Sequence, residues 1–202
     1  MARNARYCAP FRRRKEGKTD YKARKAFLLS GKPRLVARSS INNMTAQIVV
    51  AKPNGDEVLV AAHSRELSKK YGWKAPRGSI PAAYLTGFLC GLKAKNQKIE
   101  AAILDIGTYP PSKGARVFAV LKGVLDAKVD IPYSEGKLPD EKRIKGEHIA
   151  KYAENLAPNA EEYRSKFSKY LEQSVPPETL PKHVAQVKAD MIAAFKSRGK
   201  KN

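Results

Sequence analysis

Three things are scarce in this chain: acidic residues, cysteine and long apolar runs. Across 202 residues, 19 Asp and Glu stand against 40 Lys and Arg, for a net charge of +21 and a pI near 10. A surplus of that size on so short a chain does not neutralise itself. It points to a polyanionic partner, with nucleic acid first and an acidic membrane second. The two cysteines sit in unlike settings, Cys8 in a basic segment and Cys90 in an apolar helical pattern. That excludes a disulfide framework and a CxxC metal clip, and Cys90 reads as a free buried thiol. No stretch approaches the roughly 18–20 apolar residues needed to span a bilayer, and the N-terminus shows no signal-peptide apolar region. The expectation is therefore a cytosolic protein that is soluble once bound to its partner.

The marks of catalysis are also missing. The chain has no GxGxxG or GxxxxGK[ST] phosphate cradle and no GxSxG nucleophile elbow. His63, His148 and His183 are scattered without ligand-type spacing, whereas zinc needs three or four convergent ligands. No metal and no cofactor is expected. The Asn43–Thr45 sequon, with no secretory signal, is a chance match. Asp105 follows an apolar strand pattern, where open α/β sheets often place functional carboxylates. With no paired base or metal shell, it reads as a cap or as the partner of a nearby Arg or Lys. An RNA-processing enzyme using Asp105 has no convergent catalytic set. A membrane adaptor would need a densely basic amphipathic helix, and the last helical stretch has too few cations.

The remaining sequence supports a real core, since 42% of residues are hydrophobic. Residues 1–18 have much charge and almost no apolar periodicity, which predicts a tail without its own fold, kept extended by Pro10 and Gly17. Asp20 to Leu29 has helical spacing, closed by Gly31 and stopped by Pro33. Three β-rich runs follow, near 34–40, 44–52 and 57–63, and the Pro53-Asn54-Gly55 turn predicts an antiparallel meander. Ser79 caps a helix in which Ala82, Leu85, Phe88, Leu89 and Leu92 share a face. Residues 100–107 read as a buried strand, and Val117, Val120, Leu121, Val124 and Leu125 as a second core helix. The fold class is α+β: a mixed sheet of about four strands backed by helices. Residues 19–135 form that core. Residues 136–202 show only helical stretches, among them stripes Tyr163–Leu171 and Val184–Phe195 that are too narrow to fold alone. They read as an extension that clasps the core or lies on a partner.

The informative features are basic. From Arg3 to Arg38 there are thirteen Lys and Arg against Glu16 and Asp20. Tyr7, Phe11 and Tyr21 are interleaved with them and offer faces for bases or sugars. Arginine forks match phosphate and lie flat on bases, which suits RNA. A second feature is the loop 105–117, with Tyr109, Pro110-Pro111, Lys113 and Arg116 at a helix start. Residues 69–79 form a third basic stretch, with Trp73 and Arg77.

Three separated segments carry a resemblance: YCAPFRRRKEGKTDYKARK, KPRLVARSSINNMTAQIV and ILDIGTYPPSKGARVFAVLKGVLDAKVDIPYSE. In order, they resemble the universal L-eighteen family of large-subunit ribosomal proteins in its archaeal form. The eukaryotic counterpart carries 5S ribosomal RNA. The likeness covers essentially the whole chain, and the C-terminal helices match an extension absent from bacterial members. It implies a non-enzymatic structural protein with no small-molecule substrate and no membrane. Such a protein binds 5S rRNA and attaches it to large-subunit rRNA in the central protuberance of the cytoplasmic ribosome, beside neighbouring ribosomal proteins. Carried over by position, the RNA-facing residues are Arg3, Arg6, Arg12, Arg13, Arg14, Lys15, Lys18, Tyr21, Arg24 and Lys25. Arg34, Arg38, Ser39 and Asn42 at the first strand, and Tyr109, Lys113 and Arg116 in the loop, complete the set. Ile106 and Lys113 stand where bacterial members usually carry a basic residue and a histidine.

Overall fold

The computed structural model describes residues 4–199, with side chains through Lys196; Arg3 lies outside the described residues. Period-two alternation builds the sheet. Along β1 (Arg34–Ser39), Leu35 and Ala37 are fully buried on one face, while Arg34, Val36 and Arg38 point to the other. Along β2 (Met44–Lys52), Met44, Ala46 and Ile48 join the buried face. β3 (Gly55–His63) pairs antiparallel with β2. It begins two residues earlier than expected, because Lys52 pairs with Gly55 across a Pro53-Asn54 turn and Gly55 takes φ +138°. The register slips between Ile48 and Val49, where β3 has an extra residue, Leu59. β4 (Ile103–Asp105) lies parallel to β1, so the order is β3-β2-β1-β4 and the sheet is mixed, as expected.

Helices lie on both faces of the sheet. α1 (Arg12–Lys15) is a single turn, α2 (Tyr21–Leu29) is capped by the Asp20 carboxylate, and α3 (Ser64–Lys70) follows β3 directly. α4 (Ile80–Asn96) is capped by Ser79, tolerates Pro81 in its first turn, and packs with α5 (Arg116–Asp126) over the buried sheet face. The α1 turn corrects the expectation that Pro10 and Gly17 keep this segment extended. Pro10 lies ahead of the turn, and Gly17 ends it at φ +65° rather than preventing it. Cys90 is fully buried on α4, and burial pushes its thiol up to about 12.

α4 and α5 touch backbone to backbone through glycine. A Cβ on Gly123 would overlap the Tyr84 carbonyl and the Phe88 amide; one on Gly87 would overlap Val120. Gly123→Ala gains about 1 kcal/mol of helix propensity. Separating the helices costs about 2–3 kcal/mol, because backbone atoms cannot rotate away. The variant is expected to melt about 2–8 °C lower, for a net loss of about 1–2 kcal/mol. A Tm equal to the parent's in a thermal melt would refute this close packing.

The extension clasps the core. It comprises α6 (Glu141–Lys145), α7 (Glu147–Leu156), α8 (Ala160–Glu172) and α9 (Leu180–Gly199). Leu180, Val184, Val187 and Met191 of α9 join the same apolar cluster as α4 and α5. Polar bonds fix it there. The Tyr84 hydroxyl donates to Asp126 Oδ2 at 2.6 Å, and Lys188 Nζ donates to the Tyr84 hydroxyl at 2.5 Å. His183 Nε2 accepts from the Lys74 amide at 3.1 Å and its ring stacks on Trp73 at 5.0 Å. Burial, with Lys74 nearby, holds His183 below its ordinary pKa and so keeps it an acceptor.

Candidate nucleic-acid interface

With α4 and α5 on one face, the sheet's opposite face is left to α2 and the N-terminal segment. The residues facing it are set by alternation: Arg34, Val36 and Arg38 on β1, and Thr45, Gln47 and Val49 on β2. Asp105 of β4 pairs in register with Val36 and so lies on this face.

A ladder of alternating charge crosses the open face. Arg24 of α2 grips Asp56 of β3 through both carboxylate oxygens, at 2.9 and 2.6 Å. Asp56 also accepts from Arg34 at 2.8 Å, and Arg34 donates to Asp105 at 3.0 Å. Asp105 accepts from Arg38 at 3.0 Å and from the Gly107 amide at 2.8 Å. Arg38 adds bonds to the Asp105 and Ala37 carbonyls. The hydrogen bond from Arg24 is the largest cause holding the Asp56 carboxyl below its ordinary value; burial opposes it and Arg34 reinforces it. The sign follows: this pairing stabilises the fold above the ordinary carboxylate pKa and is lost as the pH falls through the lower, folded value.

The ladder sets where the expected interface arginines sit. Arg34 is 4% exposed and its guanidinium is held by two aspartates, so it is a beam of the structure. Arg24 and Arg38 are half-exposed and keep an edge toward solvent, but their direction is set by Asp56 and Asp105. Asp105 has the ion-pair role expected of it.

The N-terminal segment is different. Residues 4–18 are all exposed. Glu16 pairs with Lys18 at 2.8 Å and more distantly with Arg12. Arg13 donates to the Thr19 hydroxyl at 2.8 Å, and Phe11 packs against Tyr21 at 5.1 Å, which lays the segment along the start of α2. Arg6, Arg14, Lys15 and Lys25 have no acidic partner among the described residues. Their charge is available.

The loop and the β1–β2 turn form a second surface. The Tyr109 hydroxyl donates to the Ser39 carbonyl at 2.7 Å, so one edge of the ring is anchored while the residue stays 40% exposed. Arg116 donates to the Ser40 and Gly78 carbonyls at 2.9 and 3.1 Å and acts first as a strut beneath the turn. Asn42 and Lys113 are exposed at the rim, and Ile41 beside Asn42 is 90% exposed. Trp73 does not belong to any basic surface: it is 2% exposed under His183. Sequence reasoning passed over Asp56 and Gln47, although alternation along β2 and β3 was the signal available for both.

Charge separates the core from its extension. Residues 1–135 hold 26 Lys and Arg against 10 Asp and Glu, and residues 136–202 hold 14 against 9. The larger share of the positive surplus therefore belongs to the N-terminal two thirds. No helix among the described residues is long and apolar enough to cross a membrane, and no group of three or more His, Cys, Asp or Glu side chains could hold a metal ion there.

Comparison with known proteins shows the family. The family of ribosomal large subunit proteins 60S L5 and 50S L18 matches residues 5–100 and 93–134. The large ribosomal subunit protein uL18 of Methanococcus maripaludis is 52% identical over 192 residues, covering 95% of this chain and 99% of that protein. With a match through most of the core and a relative matched nearly end to end, the chain belongs to the L5/L18 family of large-subunit ribosomal proteins.

Proposed function

We propose that this protein binds 5S rRNA and attaches it to large-subunit rRNA in the central protuberance of the cytoplasmic ribosome. As a member of its family it is a structural protein of the large subunit and not an enzyme. The observation that carries the RNA reading is the run of exposed cations lying along α2 without acidic partners: Arg6, Arg14, Lys15 and Lys25. Arg12, Arg13 and Lys18 stand among them. Such a run neutralises phosphate and releases counterions. Tyr21, Tyr109 and the β1–β2 turn with Ser39 and Asn42 supply shape and stacking beside it. In this reading the chain divides its work: residues 1–18 provide charge, the core 19–135 provides the shaped surface, and the less basic extension 136–202 braces the core and meets neighbouring ribosomal proteins.

The test is to crosslink the purified protein to total cellular RNA and sequence the attached species. Enrichment of 5S rRNA over all other RNAs is expected. Recovery of mostly messenger or transfer RNA would displace the 5S assignment and leave only general RNA affinity.

A further inference from the structure

A groove of about 790 Å³ runs between α2 and the open sheet face. That volume falls within the roughly 300–1,000 Å³ of sites that hold small organic molecules. Its three parts differ in chemistry. The middle of the floor is a low apolar surface, with Gln47 beside its β1 partner Val36, and Val49 beside its β3 partner Val58. The wall is α2, where Tyr21 and Phe27 stand two turns apart on the inward side with Arg24 between them. The rim is cationic at one end, where Arg13 and Lys18 ahead of α2 and Arg38 near the end of β1 all line the groove.

Gln47 is the unexplained residue. It lies half-buried at the middle of the sheet, and its carboxamide makes no hydrogen bond among the described residues. Every charged neighbour on the same face is paired through the ladder. An unpaired amide among valines, on a face whose charged groups are all engaged with one another, fits a ligand that presents a complementary donor and acceptor. A nucleobase edge is such a ligand, and a glutamine amide matches adenine best, accepting from the exocyclic amine and donating to N7. Aromatic and apolar walls match the faces of a base, and a cationic end matches the phosphate attached to it.

We propose that this groove receives one unstacked nucleotide of the bound RNA, preferably an adenosine. Its base lies between α2 and the sheet against Gln47, and its phosphate lies at the end of the groove lined by Arg13, Lys18 and Arg38. The proposal rests on the RNA-binding reading above. It assigns the groove a sequence-reading role that the exposed cations, which recognise any phosphate, do not have. The ladder gives the site its rigidity, since Arg24 and Asp56 tie α2 to β3 and hold the groove open at a set width.

The test uses the full-length protein, fluorescence anisotropy and four ligands: 5S rRNA, a fully paired hairpin, and the same hairpin with one bulged adenosine or one bulged uridine. The parent protein is expected to bind the adenosine bulge about tenfold more tightly than the paired hairpin, with uridine between them. Gln47→Leu keeps the volume, removes both hydrogen-bonding groups, and should erase the preference for adenosine over uridine while leaving the paired hairpin unaffected. Val58→Trp, at an exposed position on the groove floor, should fill the slot and abolish the preference for either bulge. Equal binding of bulged and paired hairpins by the parent overturns the proposal, even where 5S rRNA still binds and the functional reading stands. Failure to bind 5S rRNA overturns both. Gln47-dependent binding of free adenosine monophosphate as tight as that of the bulged hairpin would make the ligand a free nucleotide and overturn the RNA-borne version.

Discussion

Asp105→Ala is expected to lower the stability of the protein by about 3–5 kcal/mol, which for a chain of this size lowers Tm by about 6–20 °C. Asp105 is 6% exposed and accepts from Arg34, Arg38 and the Gly107 amide at 2.8–3.0 Å. Removing it leaves the buried Arg34 guanidinium with Asp56 alone, and Arg34 Nε already has no hydrogen-bond partner. An uncompensated buried charge is what makes such a loss large; the pair itself contributes far less. The double variant Arg34→Met with Asp105→Leu removes both charges and should recover most of the loss. Chemical denaturation of the parent, the single variant and the double variant checks this. A single variant within about 1 kcal/mol of the parent would mean that water reaches Arg34 and that the ladder is not a structural beam. A collapsed ladder would also let α2 move from the sheet, so Asp105→Ala should weaken RNA binding although Asp105 carries the wrong charge to touch phosphate.

Deleting residues 1–18 is expected to have the largest effect on affinity and little effect on folding. The segment holds seven Lys and Arg against Glu16, and its described residues are all exposed. Each phosphate that the truncated protein no longer neutralises takes roughly 0.7–0.9 from the slope of log affinity against log salt, so the slope should fall by roughly five to six if all seven engage. Because ion pairs with phosphate carry no sequence information, binding to an unrelated structured RNA should fall in parallel with 5S rRNA. The core loses only the packing of Phe11 on Tyr21 and the Arg13–Thr19 bond, so Tm should change by no more than a few degrees. Salt titrations of the parent and the truncated protein on both RNAs provide the measurement. An unchanged slope would show that the charge of this segment is not the electrostatic anchor and would move that role to the core's own lysines.

Much of the fold is legible from local pattern. Leu35 and Ala37 alternate with Val36 and Arg38, Pro53-Asn54-Gly55 marks a turn, and Ser79 caps a helix with a sustained apolar stripe; each of these elements is present. α3 escapes such a reading because it is seven residues long and has one large core residue, Leu67. Its only signal is a capping box of unusual type, His63 with Glu66, in which the imidazole accepts from the Arg65 amide.

The candidate interface is legible only as charge. A surplus of thirteen cations over two acids from Arg3 to Arg38 requires a polyanion whatever the fold, because no arrangement of so few acids neutralises it. Which of those cations face outward is a different question, answered by partners distant in sequence. Arg34 meets Asp56 and Asp105, 22 and 71 positions away, and Arg24 meets Asp56 across 32. Charge alone does not separate Arg34 from Arg14, yet one is buried and the other exposed. Trp73 and His183 show the same limit, as do Tyr84 and Lys188: basic or apolar stretches in the sequence become a seam between α9 and the core. The sequence by itself thus determined the class of partner and the elements of the sheet and its two covering helices, since net charge and periodicity are local sums. Only the tertiary structure decided which arginines remain available and which way the extension turns, because ion pairs and helix seams form between residues that the chain brings together only when it closes.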